Sequence, residues 1–388
     1  MNILMLAPEP FFEPRGTPIS VYFRIQALGE LGHRVTLVTY PIGKDVALNG
    51  LKIVRPPNLL GLRQVRIGPS LAKLPLDFLL LLRAVLEVAG NRYDLVFSHE
   101  EAALIGVWIA RIWRKPHVYD MHSSLPQQLE NFQFTRSPFL KSLFRRMEHF
   151  VLKNSDSVIV ICRDLMDTVA ALGYGQKAVQ VENFLDFPSQ GATAEEAALK
   201  KREFAPAGEK VVLYTGNFEP YQGIPLLLRA AQKVGAGAVF VLVGGTGRSL
   251  LEMKALAGEL GISNKVIFVD KVPPSSVPLY LELADVLVSP RISGTNTPLK
   301  LYSYLKSGKP FVATRTWTHT QVLSERQAVL SDPEAAEFAR GIEFALHNDE
   351  ARTRARAAKE LAEKEYAPSR YIGKINQVLA LARRNYSG

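Results

Sequence analysis

The segment from Ser289 to Pro310 has the residue pattern of an anion-binding site, since a small polar loop leads there into a short helix. Backbone amides at the start of a helix, at the positive end of its dipole, are suited to bind a phosphate. Arg291 and Lys300 place two cations beside those amides. The length, polarity and flanking charge of the loop favour phosphate binding over the alternative, an ordinary capped helix. The loop residues predicted to bind the phosphate are Thr295, Asn296, Thr297 and Leu299.

The helix in this segment is predicted from its ends and its apolar residues. Thr297 is the expected N-cap, Pro298 suits the first helical position, and Gly308 suits the C-terminal stop. Leu301 and Leu305 are four residues apart and therefore form one buried stripe.

One histidine is placed for acid–base chemistry. His122 lies just past the strand pattern that ends at Asp120, where an imidazole can hydrogen-bond to a ligand or carry a proton near neutral pH. His99 follows another strand pattern and is a second candidate. The alternative for both is a structural histidine whose hydrogen bonds are satisfied within the protein.

Glycines in two further loops allow a ligand to approach the backbone closely. Gly16 and Thr17 follow the first strand pattern and precede a helix, although a plain loop explains them equally well. The first loop lacks the G-x-G-x-x-G spacing of a dinucleotide site. In the segment Gly244–Arg248, Gly245 either helps to cradle a phosphate or belongs to a tight turn, and the turn is favoured.

The elements that hold these residues follow from hydrophobic periodicity. Short apolar runs, of which Asn2–Ala7 is the first, alternate with amphipathic helical patterns along the chain. Repeated β-α-β predicts a mostly parallel sheet with helices on both faces. The alternation stops near residue 187 and restarts near residue 210. We therefore predict an α/β protein with two Rossmann-like domains facing across a cleft, where ligands bind at the carboxyl ends of the strands.

The predicted organisation has four parts. Residues 1–186 form the first Rossmann-like domain, and residues 187–209 form a linker with a short helix. Residues 210–365 form the second Rossmann-like domain, and residues 366–388 form a helix that crosses back onto the first.

Composition excludes several classes of protein. With 47% hydrophobic and 22% charged residues, the 388-residue chain is neither disordered nor fibrous. A single cysteine, Cys162, excludes a disulfide framework and fits a reducing, cytoplasmic compartment. The apolar stretch 71–89 is interrupted by proline and charged residues, so a membrane-spanning helix is not expected there.

The net charge of +10 favours an anionic partner. Residues 46–76 contain five basic and no acidic residues, and the apolar run Phe78–Leu82 follows. Basic residues also surround Trp113 and Phe139. This pattern suits peripheral contact with an anionic membrane surface, and the alternative is a core helix with a solvated charged face. Nucleic acid is not an expected partner, because no recognition motif accompanies the charge.

Short motifs occur in a specific order along nearly the whole chain. They are Gly29–Val35, Ser155–Ile159, Val181–Asp186, Leu213–Phe218, Ala284–Pro290 and Gly308–Thr314. Their order and spacing resemble the retaining glycosyltransferases of family 4, group 1, which have the GT-B fold. The resemblance implies that the first domain lies on the acceptor side and that the second binds a nucleotide-sugar.

The resemblance also implies roles for individual residues. The amides of Thr295–Leu299 would bind the donor diphosphate, and His122 would contact the donor sugar or its departing region. The loop at Gly16 would close over donor and acceptor. The implied partners are a nucleotide-sugar and a glycan or lipid-linked acceptor, with no cofactor. No metal is expected, since no Asp-x-Asp pair occurs in a suitable loop.

The sequence departs from the family pattern at its charged positions. The Arg and Lys that grip the diphosphate are replaced by Asn217 and Gln222, and the two glutamates of the E-x7-E motif fall near Thr295 and on Ser303. Neutral side chains can hydrogen-bond to a phosphate but supply no charge. The expected function is a retaining sugar transfer that needs no metal. The alternatives are a catalytically silent GT-B module that binds a partner or glycolipid, and a sugar-nucleotide epimerase.

Overall fold

The computed structural model describes residues 1–13, 16–58, 61–62, 73–127, 137–182 and 193–387. The chain divides into two units, Met1–Phe184 with Pro368–Gly388, and Leu185–Ala367. Arg63 and Arg66 of the acid-free stretch, residues 183–186 of the third motif and residues 187–192 of the predicted linker lie outside the described residues.

The first unit is built on a seven-stranded parallel sheet with the strand order β3-β2-β1-β4-β5-β6-β7. Its strands are β1 (Asn2–Ala7), β2 (Arg34–Thr39), β3 (Leu51–Val54), β4 (Leu95–His99), β5 (His117–Met121), β6 (Ser157–Val160) and β7 (Ala178–Gln180). Its helices are α1 (Gly16–Glu30), α2 (Leu74–Gly90), α3 (Ala102–Ile112), α4 (Pro138–Asn154), α5 (Arg163–Ala171) and the C-terminal helix Pro368–Asn385.

The order of the strands determines which helices share a face of this sheet. The connection from β1 to β2 runs in one direction across the sheet. The connections from β3 to β4, from β4 to β5 and from β5 to β6 run in the opposite direction. Right-handed crossovers therefore place α1 on one face and α2, α3 and α4 on the opposite face. The C-terminal helix packs against α1 and β6.

The second unit has a six-stranded parallel sheet with the order β10-β9-β8-β11-β12-β13. Its strands are β8 (Lys210–Thr215), β9 (Ala238–Gly245), β10 (Val266–Asp270), β11 (Val286–Ser289), β12 (Phe311–Thr314) and β13 (Val329–Ser331). Its helices are α6 (Ala194–Phe204), α7 (Ile224–Lys233), α8 (Gly247–Glu259), α9 (Val277–Leu283), α10 (Lys300–Ser307), α11 (Trp317–Thr320), α12 (Ala335–His347) and α13 (Asp349–Glu365). The helix Pro368–Asn385 is α14. Short 3-10 turns in the described part of the chain lie at Gly175–Lys177, Pro220–Gln222 and Pro274–Ser276.

Buried apolar residues cover both faces of each sheet, which is why the strand sequences are almost continuously apolar. On one face of the second sheet, Tyr214, Phe240 and Phe338 pack with α7 and α12. On the other face, Leu213, Leu301 and their neighbours pack with α6, α9 and α10.

The expected fold class, two Rossmann-like α/β domains, is confirmed. Strand β13 was not expected, because its three residues are too few to show a periodicity. The predicted linker also contains α6, which inserts Ala197 and Phe204 into the core of the second unit and is therefore an element of that unit. In the described parts of the chain, no helix combines the length and apolarity needed to cross a membrane.

Candidate functional site

Two loops of the second unit are held together at the carboxyl ends of β8 and β11. The amide of Ile292 donates a 3.0 Å hydrogen bond to the carbonyl of Tyr221. Gly223 has a φ of +72°, and a Cβ at this position would overlap the carbonyl oxygen of Pro290. Glycine is required there, since both the backbone conformation and the close approach exclude a larger residue. This contact fixes the loop that follows β11 against the loop that follows β8.

Lys300 is the charged group between these loops. It is the first residue of α10, and its Nζ lies 3.3 Å from Oε1 of Gln222. The same Nζ lies 3.7 Å from the centroid of the Tyr214 ring, in cation–π contact. Burial, followed by the charge of Arg291, lowers the pKa of Lys300 well below its usual value. The ammonium is therefore partly desolvated and close to a second cation.

Arg291 is that second cation. Its Nε donates a 2.9 Å hydrogen bond to the carbonyl of Ser293, and its guanidinium carbon lies 5.0 Å from the centroid of the Tyr221 ring. Gly294 has a φ of +104°, and a side chain there would meet the guanidinium. Two cations held within electrostatic reach repel each other, and a bound anion would relieve that repulsion.

The polar loop between Arg291 and α10 differs from the prediction at the start of the helix. The helix begins at Lys300 with Leu299 as N-cap, and no side chain caps it, so the predicted N-cap role of Thr297 is wrong. A short turn precedes the helix, in which the amide of Leu301 bonds to the carbonyl of Pro298. Thr297 is buried, and its Oγ1 has no hydrogen-bond partner among the described residues. The stop at Gly308 is confirmed by its φ of +67° and its hydrogen bond to Leu305.

The other predicted residues of the second unit lie around this loop. The carbonyl of Thr295 accepts a 2.7 Å hydrogen bond from Gln321, while Asn296 continues the same loop. Ser303 lies three residues after Lys300 in α10 and therefore on the same helix face. Asn217 is exposed, and its carbonyl accepts a 2.7 Å hydrogen bond from the hydroxyl of Tyr214.

Gly245 has a packing reason to be glycine. It ends β9, and a Cβ on it would overlap the ring of Phe218. Its neighbour Gly244 packs in the same way against the backbone of Gly216. Arg248, in contrast, is exposed and paired with Glu252 at 2.7 Å. Close packing accounts for both glycines without a ligand.

The first unit has a separate polar group at the carboxyl ends of β4 and β5. Asp120 is the fourth residue of β5, His122 follows the end of that strand, and His99 ends β4. Nε2 of His122 lies 3.4 Å from Oδ1 of Asp120 and 3.3 Å from Nδ1 of His99. Burial is the main reason that the pKa of His99 is lowered to about 3, so this imidazole is neutral at physiological pH.

Arg24 of α1 adds a cation to this group. Its Nε donates a 2.9 Å hydrogen bond to Oδ2 of Asp120, and both side chains are fully buried. Its other nitrogens donate to the hydroxyl of Tyr371 at 2.6 Å and to the carbonyl of Val181 at 2.9 Å. Burial by itself would raise the pKa of Asp120. The charge of Arg24, aided by His122, lowers this pKa by a larger amount, so it lies below its usual value. Asp120 is therefore a permanent carboxylate beside His122.

Glu100 is a carboxylate that the sequence analysis missed. It follows His99, has a φ of +47°, and accepts a 3.1 Å hydrogen bond from the hydroxyl of Ser123. A left-handed backbone is uncommon for a residue other than glycine and occurs often at functional sites. Burial raises the pKa of Glu100 to about 7, while His122 opposes that rise. Its position directly after a strand end is the sequence signal that points to this carboxylate.

The side chains of His99, Asp120 and His122 could in principle hold a metal ion, because their ligand atoms lie within 4.8 Å of one another. However, Oδ2 of Asp120 is already bonded to the guanidinium of Arg24. A divalent cation would add charge next to that buried arginine. The donor set therefore fits a hydrogen-bonded network better than a metal centre.

Gly16 and Thr17 form the first turn of α1, the helix that also carries Arg24. Gly16 has a φ of +41°, and a Cβ there would meet no atom of the described residues within 4 Å. The structure thus gives Gly16 a conformational reason to be glycine and leaves open space beside it.

Two family profiles match the sequence. Residues 21–183 match the glycosyl transferase 4-like domain, and residues 195–361 match the glycosyl transferases group 1. Together with two parallel-sheet Rossmann-like units, these matches define a protein of the GT-B class. The chain belongs to the group 1 glycosyltransferases.

Individual relatives and structures agree with this family. The phosphatidyl-myo-inositol mannosyltransferase of Mycobacterium tuberculosis is 24% identical, over 97% of this chain and 96% of the relative. A structure of sucrose-phosphate synthase from Thermosynechococcus elongatus has a TM-score of 0.78 and 19% identity, over 98% of both chains. Anabaena HepE in complex with UDP has a TM-score of 0.77 and 18% identity, over 98% of this chain and 100% of that chain. The two structural likenesses show a common fold.

Proposed function

We propose that the protein transfers a sugar from a nucleotide-sugar donor to a glycan or lipid-linked acceptor, with retention of configuration. The observation that carries the proposal is the pair of neighbouring cations, Arg291 and Lys300, at the carboxyl ends of β8 and β11. In an open α/β sheet this is the edge at which ligands bind. The UDP complex of HepE and the mannosyltransferase relative support a nucleotide-sugar as the donor.

The two cations would stabilise the departing diphosphate. Negative charge grows on the diphosphate as the glycosidic bond breaks, and fixed cations at that position lower the energy of the transition state. Lys300 would supply the charge that Gln222 does not, since its Nζ lies 3.3 Å from the Gln222 amide oxygen. The loop Thr295–Leu299 and the exposed Asn217 would add hydrogen bonds from backbone and side chain.

The polar group of the first unit would serve the sugar and the acceptor. Asp120, held ionised by Arg24, would orient the imidazole of His122. His122 would contact the donor sugar or its departing region. Glu100, whose pKa is raised to about 7, is suited to exchange a proton with an acceptor hydroxyl near neutral pH. The proposed mechanism uses these side chains and no protein-bound metal ion.

A catalytically silent module that binds a partner or glycolipid is the second candidate. It is favoured by one specific observation, the replacement of the family's Arg, Lys and two Glu by Asn217, Gln222, Thr295 and Ser303. Lys300 indicates an anionic ligand for either candidate, because a partly desolvated ammonium is costly unless an anion binds there, so turnover has to distinguish the two.

A panel of UDP-, GDP- and ADP-sugars tests the proposal. Binding is measured as a rise in the melting temperature Tm, because a ligand that binds only the folded state must stabilise it. Turnover is measured as release of the nucleoside diphosphate. Failure of every donor to raise Tm would refute the transferase, whereas binding without release would favour the silent module. Conversion of a free nucleotide-sugar to its epimer would favour an epimerase.

A further inference from the structure

Three helices of the first unit, α2, α3 and α4, form a layer on one face of its sheet. Neighbouring helices of the layer are in contact, α2 with α3 and α3 with α4. The inner side of α2 packs Leu80 and Ala84 onto the sheet, and the inner side of α4 packs Val151 and Leu152. The side of each helix that points away from the sheet therefore forms a common outer surface.

The outer side of α2 is apolar. Leu74, Phe78, Leu82 and Leu86 are 60%, 59%, 46% and 64% exposed. They are spaced four residues apart, so they form one line about 18 Å long on the helix surface. An amphipathic helix of a soluble protein has polar residues on this side. Helix α2 instead has an inner apolar face on the sheet and an outer apolar face that no element of the described residues covers.

Exposed apolar side chains are also present on the two neighbouring helices, α3 and α4. Trp108 and Ile112 of α3 are 55% and 67% exposed, and Phe139 and Leu143 of α4 are 74% and 40% exposed. These three helices contain eight of the 13 large, exposed hydrophobic residues among the described parts of the chain. The concentration is well above the scattered exposure that is normal for a monomer, and patches of this kind mark interaction sites.

The charges of the layer identify the partner. Its three acidic side chains face inward: Asp77 accepts a hydrogen bond from Tyr40, and Glu87 and Glu148 are 3% and 4% exposed. Basic residues lie outward, among them Arg111, Arg145 and Arg146, which are exposed. An apolar surface with basic and no outward acidic side chains complements an anionic lipid surface, where acyl chains receive the apolar groups and headgroups receive the cations.

We infer that the outer surface of α2, α3 and α4 binds the interface of an anionic lipid bilayer. The inference deepens the proposed function, because it places the protein where a lipid-linked acceptor is found, and in that sense rests on it. Insertion is interfacial, since the apolar line lies along a helix that also packs against its own sheet. The surface belongs wholly to the first unit, so donor binding by the second unit can be measured without lipid.

Vesicle binding of the full-length protein tests the inference. The wild type is sedimented with phosphatidylcholine vesicles and with vesicles that also contain phosphatidylglycerol. We expect strong binding only to the anionic vesicles. The variant Phe78→Ser/Leu82→Ser/Leu86→Ser is expected to bind them about tenfold more weakly or worse. Its control, Leu199→Ser/Leu251→Ser, removes residues that are 60% and 66% exposed in the second unit and should bind as the wild type does.

A second variant tests the charge and does not depend on the apolar residues. Arg145→Gln/Arg146→Gln is expected to weaken binding about 30-fold, at about fivefold for each basic residue near an anionic surface. The exposed lysines of the control Lys233→Gln/Lys254→Gln lie in the second unit, and their removal should have little effect.

Three outcomes would overturn the inference. The first is a wild type that fails to bind anionic vesicles, and the second is equal binding by the wild type and both surface variants. The third is a wild-type dimer that the apolar variant dissociates without any change in vesicle binding, which would identify a second copy as the partner. The proposed function is tested separately, because the UDP-sugar effect on Tm is measured without vesicles and can fail while vesicle binding persists.

Discussion

Replacement of Lys300 by methionine is expected to make the protein more stable and less able to bind its donor. The Nζ has one hydrogen-bond partner among the described residues, Gln222, and one cation–π contact, with Tyr214. An ammonium has three donors, so most of its lost hydration is not replaced. Methionine keeps a long apolar side chain in the same space and removes the desolvated charge.

The expected gain follows from opposing contributions. Losing the hydrogen bond costs about 1.5–3 kcal/mol, and losing the cation–π contact costs up to about 2 kcal/mol. Relief of the desolvation of a partly buried ion is worth several kcal/mol. The net gain should be about 1–2 kcal/mol, which raises Tm by about 2–8 °C for a unit of this size. Lys306→Met, which removes an exposed lysine of α10, should leave Tm nearly unchanged.

Donor binding should change in the opposite direction. Loss of a charge-assisted hydrogen bond of about 2–3 kcal/mol weakens nucleotide binding about 30–150-fold. At a donor concentration of about 100 times the wild-type Kd, the wild type gains about 2.7 kcal/mol and the variant gains less than about 1 kcal/mol. When UDP-sugar is added, the difference between the two Tm values should therefore nearly disappear or change sign.

The pH dependence provides an internal check. The pKa of Lys300 is lower in the folded state than its usual 10.5, so between those values the unfolded chain binds more protons. The destabilisation that Lys300 causes in the wild type therefore decreases as pH rises through that window. The stability advantage of Lys300→Met shrinks accordingly as pH approaches about 10.5. The reasoning is refuted if Lys300→Met lowers Tm in the absence of donor, or if UDP-sugar raises its Tm as much as that of the wild type.

Further expectations concern the first unit. Asp120→Asn leaves the buried guanidinium of Arg24 without its counter-ion and should lower the free energy of unfolding by about 3–5 kcal/mol, measured by denaturant titration; a loss below about 1 kcal/mol would contradict the buried pair. Glu100→Gln should reduce turnover and remove an ionisation near pH 7 from the pH–rate profile, since burial raises this pKa to about 7; an unchanged profile would exclude Glu100 from proton exchange. Because the folded pKa of Glu100 is raised, its stabilising contribution should be lost as pH rises from about 4.5 to about 7, and Glu100→Gln should flatten that part of the Tm curve. Dialysis against a chelator should leave turnover unchanged, and a loss restored by a divalent ion would contradict the role assigned to Arg24.

The sheet strands were predictable because parallel strands buried on both faces are short apolar runs. Asn2–Ala7 was predicted with its observed bounds. The helix stop at Gly308 was predictable for a local reason, the left-handed backbone that ends many helices. The start of the same helix was not, because Thr297 is buried before the helix begins and cannot act as its cap.

The polar networks were not predictable, since they join residues far apart in the sequence. Arg24 and Asp120 are separated by 96 residues, and Arg24 and Tyr371 by 347. The sequence pointed to His122 and to the absence of the two cations typical of the family. It did not show the contact between Lys300 and Gln222, which are 78 residues apart. The position of Glu100 after a strand end was visible in the sequence, but its left-handed backbone was not, because nothing in its residue type predicts that conformation.

The hydrogen bond between Arg24 and Tyr371 has a consequence for the synthesis of the protein. Tyr371 belongs to the C-terminal helix, which is made only after residues 185–367, the whole of the second unit, have been synthesised. Until then the guanidinium of Arg24 lacks one of its three partners, and the apolar side of α1 that the last helix covers is exposed. The first unit to be translated is thus the last to be completed, and a chain that stops before residue 368 carries an unfinished core that chaperones and proteases can recognise.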